Sequence, residues 1–100
     1  MNIKIDVNGT SMSAELAGRL DTSTAPQMEA EIASKLDGIT DLTLNLEELA
    51  YISSAGLRVL LMCQKKINAA GGKMVVKKPN ELVVAVFEAT GFSDILTIEY

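Results

Sequence analysis

The sequence contains no histidine and no tryptophan, and it has one cysteine, two tyrosines and two phenylalanines among its 100 residues. Without histidine, it cannot build a Ser-His-Asp triad, a Cys-His pair or a metal site that uses imidazole. The single cysteine, Cys63, can form neither an internal disulfide nor a structural zinc site, and we expect it to be a small core residue. The sequence therefore predicts a protein that is not an enzyme and that holds no metal or cofactor.

Positive charge is also scarce, because nine lysines and arginines face thirteen acidic residues and leave a net charge of −4. An acidic chain with few aromatic residues is poorly suited to nucleic acid, whose binding needs a basic surface and stacking side chains. No apolar run approaches the ~18 residues that cross a bilayer, and the polar first residues are unlike a signal peptide. We therefore expect a cytoplasmic protein with no nucleic-acid or membrane partner.

Length and apolar content predict one domain over residues 1–100. A chain in which 48% of the residues are hydrophobic can bury a core of its own at this length. It contains no linker, internal repeat or low-complexity segment. It also lacks a coiled-coil pattern and a large exposed apolar stripe, so a monomer is expected.

The first half of the chain predicts a β-hairpin, a helix and a third strand. Apolar and polar residues alternate on both sides of Asn8-Gly9, the strongest short signal for a hairpin turn. In the helix that follows, Thr24 and Gln27 fit a capping box and Gly38 is placed as a terminator. The residues that define the patterns are Ile3, Ile5, Val7, Met12, Ala14 and Leu16 for the hairpin, Ala25, Met28, Ile32 and Leu36 for the helix, and Leu42, Leu44 and Leu46 for the strand.

The second half predicts two further helices and one or two strands. After a loop over residues 47–51, helical spacing runs from Ala55 to about Ala69 and ends at Gly71-Gly72. A short apolar strand, a third helix that ends at Gly91, and an edge strand or last turn complete the chain. The apolar residues concerned are Met74, Val75 and Val76 in the strand, Leu82, Val83, Val86 and Phe87 in the helix, and Ile95, Leu96 and Ile98 in the tail.

Strands that alternate with helices predict an α/β fold. We expect a central mixed sheet of four to five strands that starts with a hairpin, with crossover helices packed on it. The uninterrupted apolar run from Met74 to Val76 predicts a central strand that is covered on both faces.

Two adjacent serines, Ser53 and Ser54, lie where the loop meets the second helix, and they are the first candidate site. Ala55 and Gly56 follow, and their small size would leave the serines accessible. The unpaired N–H groups and the dipole of a helix N-terminus tolerate negative charge. The residues thus permit a phosphorylation switch, although serine is also a common helix cap.

Acidic residues form the second candidate set. Asp21 ends the second strand, and the ends of neighbouring strands gather at one edge of such a sheet. It can be interpreted equally well as a turn carboxylate or as a functional acid. Glu47 and Glu48 are interpreted as part of a solvated loop that could help to form a docking surface.

These segments together resemble the STAS family, and within it the bacterial anti-anti-sigma factors, also called anti-sigma factor antagonists. The matching segments follow the family's order across nearly the whole chain, and the S-S-A-G-L element is the most specific of them. They are Gly18-Arg19-Leu20-Asp21, Leu44-Asn45-Leu46, Tyr51-Ile52-Ser53-Ser54-Ala55-Gly56-Leu57, Gly71-Gly72, and Phe87-Glu88-Ala89-Thr90-Gly91-Phe92. The sequence departs from several members at Ile52, where they carry aspartate.

The resemblance implies a small STAS domain without catalytic activity. It implies that an anti-sigma factor with a histidine-kinase-like ATPase fold phosphorylates the second serine, Ser54. In its unphosphorylated form, such a protein binds the anti-sigma factor and frees a sigma factor for transcription, and a PP2C-type phosphatase restores this form. The implied partner-binding residues are Asp21, Ser53, Ser54, Ala55 and Gly56.

Two alternatives stay open. One is a STAS docking subunit of a lipid or anion transport complex, which need not be phosphorylated. The other is a sensor module for a nucleotide or another small ligand, for which the sequence offers no ligand motif.

Overall fold

The computed structural model describes all residues from Met1 to Tyr100 and confirms a single α/β fold. Six strands and three helices follow one another along the chain. They are β1 (Asn2–Asn8), β2 (Ser11–Leu20), α1 (Ala25–Ala33), β3 (Asp41–Asn45), β4 (Leu49–Ile52), α2 (Ser54–Ala69), β5 (Lys73–Lys77), α3 (Glu81–Thr90), a short 3₁₀ turn (Phe92–Asp94) and β6 (Thr97–Glu99).

One mixed sheet contains all six strands, one more than the predicted maximum. Its main path runs β1-β2-β3-β5-β6, and β4 pairs with the last residues of β2, beyond the end of β3. The predicted hairpin is confirmed: β1 and β2 are antiparallel, whereas all other pairs are parallel. Its two-residue turn consists of Gly9 and Thr10, and Gly9 supplies the positive φ, +63°, that such a turn needs at its first position.

Alternating side chains bury one face of the sheet and leave the other open. Met12, Ala14 and Leu16 of β2 face inward, as do Leu42 and Leu44 of β3. All three helices pack on this face, and the 24 buried apolar residues form one contiguous cluster, so the chain has a single core. The outward-facing positions of the strands are exposed or half-buried, and no helix covers them.

β5 is central, as predicted, but it is covered on one face only. Met74 and Val76 are buried, whereas Lys73, Val75 and Lys77 are exposed or half-buried. The prediction of double coverage was wrong because the three apolar residues belong to a longer alternating strand that has a lysine at each end.

The prediction of a loop over residues 47–51 was also wrong. Residues from Leu49 to Ile52 form β4, and only Glu47 and Glu48 make the turn that precedes it. This strand has no clear alternation of its own, and it exists because it pairs with the end of β2, about thirty residues earlier.

Helix α1 begins after Thr24, as predicted, but its end and its N-terminal capping differ from the prediction. The helix ends at Ala33, before Leu36 and Gly38, although Leu36 stays buried in a turn that follows. Thr24 does not form the predicted capping box: its hydroxyl oxygen accepts the Asp21 N–H at 2.9 Å, and its hydroxyl donates to the Arg19 carbonyl oxygen at 2.8 Å.

The ends of the other two helices match the predictions. α2 runs to Ala69, next to the predicted glycine pair, and α3 ends at Gly91, whose φ of +81° is the left-handed conformation typical of a helix terminator. No helix here combines the length and the apolar character that crossing a membrane requires.

Candidate functional site

The carboxyl ends of β2 and β4 lie side by side, because the two strands are parallel and Leu20 pairs with Ile52. The backbone N–H of Ser53 donates to the Leu20 carbonyl oxygen at 2.9 Å and continues this pairing by one residue. Asp21 directly follows Leu20, so it lies beside the serine pair. The fold thus brings the two candidate sites, predicted from separate segments, to one edge of the sheet.

Ser53 and Ser54 lie at the start of α2, as predicted, but the two residues occupy different positions relative to the helix. Ser53 is the N-cap: its backbone is extended, and its hydroxyl oxygen accepts a hydrogen bond from the Gly56 N–H at 3.4 Å. Ser54 is the first helical residue, and it is exposed, with no hydrogen bond from its hydroxyl to the rest of the chain. The cap interpretation therefore applies to Ser53, while Ser54 presents a free hydroxyl on a helix N-terminus.

Gly56 sets the close approach of α2 to the sheet. A Cβ atom at this position would lie 2.7 Å from Leu20 Cγ and 2.9 Å from Ile52 Cγ1, so a larger residue would push the helix away from the strand ends. The glycine is buried. The prediction that Gly56 helps to keep the surface around the serines uncovered is therefore wrong, because this residue faces the core. Of the two small residues, only the half-buried Ala55 contributes to the surface next to the serines.

The Asp21 carboxylate is held by the turn that follows β2. Its Oδ1 accepts hydrogen bonds from the Ser23 hydroxyl at 2.8 Å, the Ser23 N–H at 3.0 Å and the Thr24 N–H at 3.2 Å. The bond from the Ser23 hydroxyl, together with those from the backbone, lowers the pKa of Asp21 against the opposing effect of desolvation. Asp21 is thus a fixed carboxylate that is ionised at neutral pH, and its Oδ2 points towards Arg19.

Arg19 and Tyr51 extend the site, and the sequence did not predict either as a site residue. Arg19 pairs with Tyr51 across the strands, and its guanidinium carbon lies 4.5 Å from the centre of the tyrosine ring. Its Nε lies 3.7 Å from Asp21 Oδ2. Both residues lie within quoted family segments, but their contact becomes visible only once residues 49–52 are known to form a strand.

A family model described as the STAS domain matches residues 2–100, which is almost the entire chain. The chain belongs to the STAS domain family. BtrV of Bordetella bronchiseptica, named as a candidate anti-sigma factor antagonist, is 36% identical over 99 residues, which cover 98% of this STAS domain and 85% of BtrV. The anti-sigma-B factor antagonist of Bacillus subtilis is 29% identical over 100 residues, which cover 98% of this chain and 92% of the relative.

Solved structures show the same fold. The anti-sigma factor antagonist SpoIIAA in its unphosphorylated form superposes with a TM-score of 0.85 at 22% identity, covering 99% of this chain and 89% of SpoIIAA. The Bacillus cell fate determinant SpoIIAA in its phosphorylated form gives a TM-score of 0.76 at 20% identity, covering 99% and 92% of the two chains. The mixed sheet with helices on one face is therefore the fold of known STAS domains.

Ile52 directly precedes the serine pair of this STAS domain. It is 1% exposed, it faces the core from β4, and it packs against the backbone of α2 at Gly56. The residue before the serines therefore contributes to packing, and Asp21 is the acid that this chain holds next to Ser53.

Cys63, Glu47 and Glu48 do not form a reactive site. Cys63 is buried, and burial raises the pKa of its thiol to about 11, which keeps it protonated and unreactive, as expected of a core residue. Glu47 and Glu48 are exposed in the turn before β4, where a Glu47 carboxylate oxygen lies 3.4 Å from the ammonium group of Lys78. An open groove of about 580 Å³ is lined mainly by polar residues of β1, β2 and this turn.

Proposed function

We propose that this STAS domain is an anti-anti-sigma factor whose partner choice is set by the phosphorylation state of Ser54. In the unphosphorylated form it binds an anti-sigma factor that has a histidine-kinase-like ATPase fold, and a sigma factor is released. The same partner transfers the γ-phosphoryl group of ATP to the Ser54 hydroxyl, with ADP and a proton as the other products. A PP2C-type phosphatase hydrolyses the phosphate ester and restores binding.

The observation that carries the proposal is the free, exposed hydroxyl of Ser54 on the first turn of α2, beside the ionised carboxylate of Asp21. The named relatives that are anti-sigma factor antagonists cover nearly the whole chain, which supports the same role here. Phosphorylation has a solved precedent in SpoIIAA, a relative in fold.

A phosphate on Ser54 would be tolerated in the free domain. It would carry about 1.5 to 2 negative charges and would lie at the positive end of the α2 dipole, near N–H groups that have no helical partner. Because the Ser54 hydroxyl makes no hydrogen bond within the chain and the residue is exposed, modification would break no contact of the fold. The domain should therefore keep its structure in both states.

The same phosphate would oppose the partner. In a closely fitted interface it adds bulk and a charge that needs a counter-charge, and a mismatch of this kind costs several kcal/mol. About 3 kcal/mol lowers an affinity more than ~100-fold. Asp21 increases the local negative charge, and we assign to it and to the exposed surface of Ser53 and Ala55 the role of partner contacts.

Replacement of Ser54 by Asp tests the proposal, because it places a negative charge at the first position of α2. Wild-type and Ser54→Asp proteins serve as baits in a lysate of the source organism, and captured proteins are identified by mass spectrometry. We expect the wild type to retain a histidine-kinase-like ATPase and the variant to lose it, with an affinity at least ~100-fold weaker when the two are measured in purified form.

The matched control is Asn68→Asp, which adds the same charge to an exposed position on the same helix, about 21 Å away at 1.5 Å per residue. It should retain the partner. If both baits instead capture a transporter subunit, the domain is a docking module of a transport complex. If neither bait captures a protein and a nucleotide stabilises the wild type in a thermal-shift screen, it is a ligand sensor.

A further inference from the structure

β1 forms one edge of the sheet, and its outer edge has no partner within the chain. It pairs only with β2. In a hairpin closed by a two-residue turn, the residues on either side of the turn, Asn8 and Ser11, form a hydrogen-bonded pair. Such pairs recur at every second residue of an antiparallel ladder, so Asp6, Lys4 and Asn2 also direct their backbone N–H and C=O groups towards β2. The N–H and C=O groups of Ile3, Ile5 and Val7 therefore point away from the sheet, free to pair with another strand.

The sequence of β1, NIKIDVN, is complementary to itself in the antiparallel direction. If two copies align about a two-fold axis at Ile5, Lys4 of one copy faces Asp6 of the other, and Ile3 faces Val7. The outer positions pair Asn2 with Asn8. No shift of register keeps both charge pairs, because the two charged residues flank the centre symmetrically.

Side-chain placement supports the same pairing. Lys4 and Asp6 lie on the open face of the sheet, are exposed, and take part in none of the ion pairs within the chain. Glu15 lies across from Lys4 on β2, and the neutral Ser13 lies across from Asp6. Ile3, Ile5 and Val7 face the helix side, where Ile3 and Ile5 are half-buried and Val7 is 48% exposed. Pairing would cover this apolar row and give Asp6 an opposite charge that it lacks in the single chain.

We infer that β1 is a docking edge for a second copy of this chain, which adds its own β1 antiparallel across a two-fold axis at Ile5. A lysine on an edge strand commonly deters such pairing, but Asp6 of the second copy neutralises Lys4. The other edge, β6, is only three residues long, and Glu99 there lies 3.7 Å from Lys77 of its own chain. The joined molecule is an isologous dimer with one continuous sheet.

This dimer leaves the Ser54 surface free. Ser54 follows the carboxyl end of β4, which runs parallel to β2, and antiparallel joining points the two copies of β2 in opposite directions. The two serine sites therefore lie at opposite ends of the joined sheet, and each copy can bind a partner. The inference is independent of the function proposed for Ser54.

Charge variants of β1 test the interface through sedimentation velocity between about 10 µM and about 1 mM, the range in which so small an interface would assemble. Wild type should shift from monomer to dimer with concentration. Asp6→Lys places lysine against lysine, and Lys4→Glu places acid against acid, so each variant alone should stay monomeric. Mixed at equal concentrations, these two variants should form a heterodimer, because every facing pair is again opposite in charge.

Two controls separate the interface from a general effect of charge or folding. Glu88→Lys, which makes the same kind of change on the exposed side of α3, should dimerise as the wild type does. Ile5→Pro removes the outward N–H at the two-fold axis without removing a bond to β2, and it should be monomeric, with circular dichroism showing that it is folded. The inference is overturned if wild type stays monomeric at about 1 mM, if the single variants dimerise as wild type does, or if the mixed variants fail to associate.

Discussion

Ser53 and Ser54 are neighbours in the sequence, but their hydroxyl groups do different things. The Ser53 oxygen accepts a backbone N–H and so stabilises the first turn of α2. The Ser54 hydroxyl is exposed and makes no hydrogen bond within the chain. The Ser54 hydroxyl is therefore free to react without breaking a contact of the fold, whereas the Ser53 oxygen is already engaged with the Gly56 N–H.

Asp21 should make the stability of the domain depend on pH, because its pKa is lowered in the folded state. A carboxylate with a lowered pKa contributes stability that is present above its unfolded pKa, ~3.9, and is lost as pH falls through the folded value. Asp21→Asn should thus be less stable than wild type near pH 7, and the difference should shrink below about pH 4. Urea unfolding at pH values from about 7 to about 2.5 measures this.

The control for this acid dependence is Asp37→Asn. The Asp37 side chain is 92% exposed, and its ion pair with Lys66 is screened by water, so it should contribute little at any pH. An Asp21→Asn variant whose stability runs parallel to that of wild type through the acid range would show that the hydrogen bonds from Ser23 and Thr24 do not hold the charged form.

At the scale of elements, β4 and α3 depend on each other. Asn80 caps α3 by accepting the Val83 N–H at 2.8 Å, and its amide donates to the Leu49 carbonyl oxygen of β4 at 3.0 Å. One side chain thus begins a helix and fixes it to the strand that leads to the serines.

We predict that Asn80→Ala lowers the free energy of unfolding by about 1–2 kcal/mol, the usual cost of losing a cap, because both bonds disappear. Asn80→Asp keeps an acceptor for the cap but has no donor for Leu49, and its loss should be intermediate. Chemical denaturation of the three proteins provides the values. Equal stability of Asn80→Asp and wild type would mean that the bond to β4 stabilises nothing.

Elements with strong local patterns were predictable, and those made by distant contacts were not. The hairpin, α2 and α3 each have a clear period and a turn or terminator residue within a short stretch of sequence. β4 does not, since Leu49-Ala50-Tyr51-Ile52 becomes a strand only through β2. For the same reason the sequence indicated Ser53, Ser54 and Asp21 as candidates but not Arg19 and Tyr51, whose contact crosses that strand pair.

The burial of Gly56 was unpredictable for a related reason. In the sequence, a small residue after a serine pair indicates an uncovered surface just as well as a close helix–strand contact. The short distances from Gly56 to Leu20 and Ile52 show that the glycine makes a close helix–strand contact. These distances depend on where α2 crosses the sheet. Local sequence fixes the size of a side chain but not the direction in which it faces.

At the scale of the whole molecule, the two proposed interaction surfaces lie in different parts of the domain. Helices cover one face of the sheet and hold the core, while the Ser54 edge and the β1 edge lie on different sides of the domain. A phosphate at Ser54 would therefore act through the charge of one surface and would need no change in the fold.

The most direct test of the account is to locate the phosphate after reaction with the captured ATPase and ATP, by mass spectrometry of the intact protein and its peptides. Wild type should gain one phosphoryl group, on Ser54, and Ser54→Ala should gain none while still binding the ATPase. Ser53→Ala should still be modified on Ser54. Modification of Ser53 in the wild type, or equal modification of Ser54→Ala, would contradict the account.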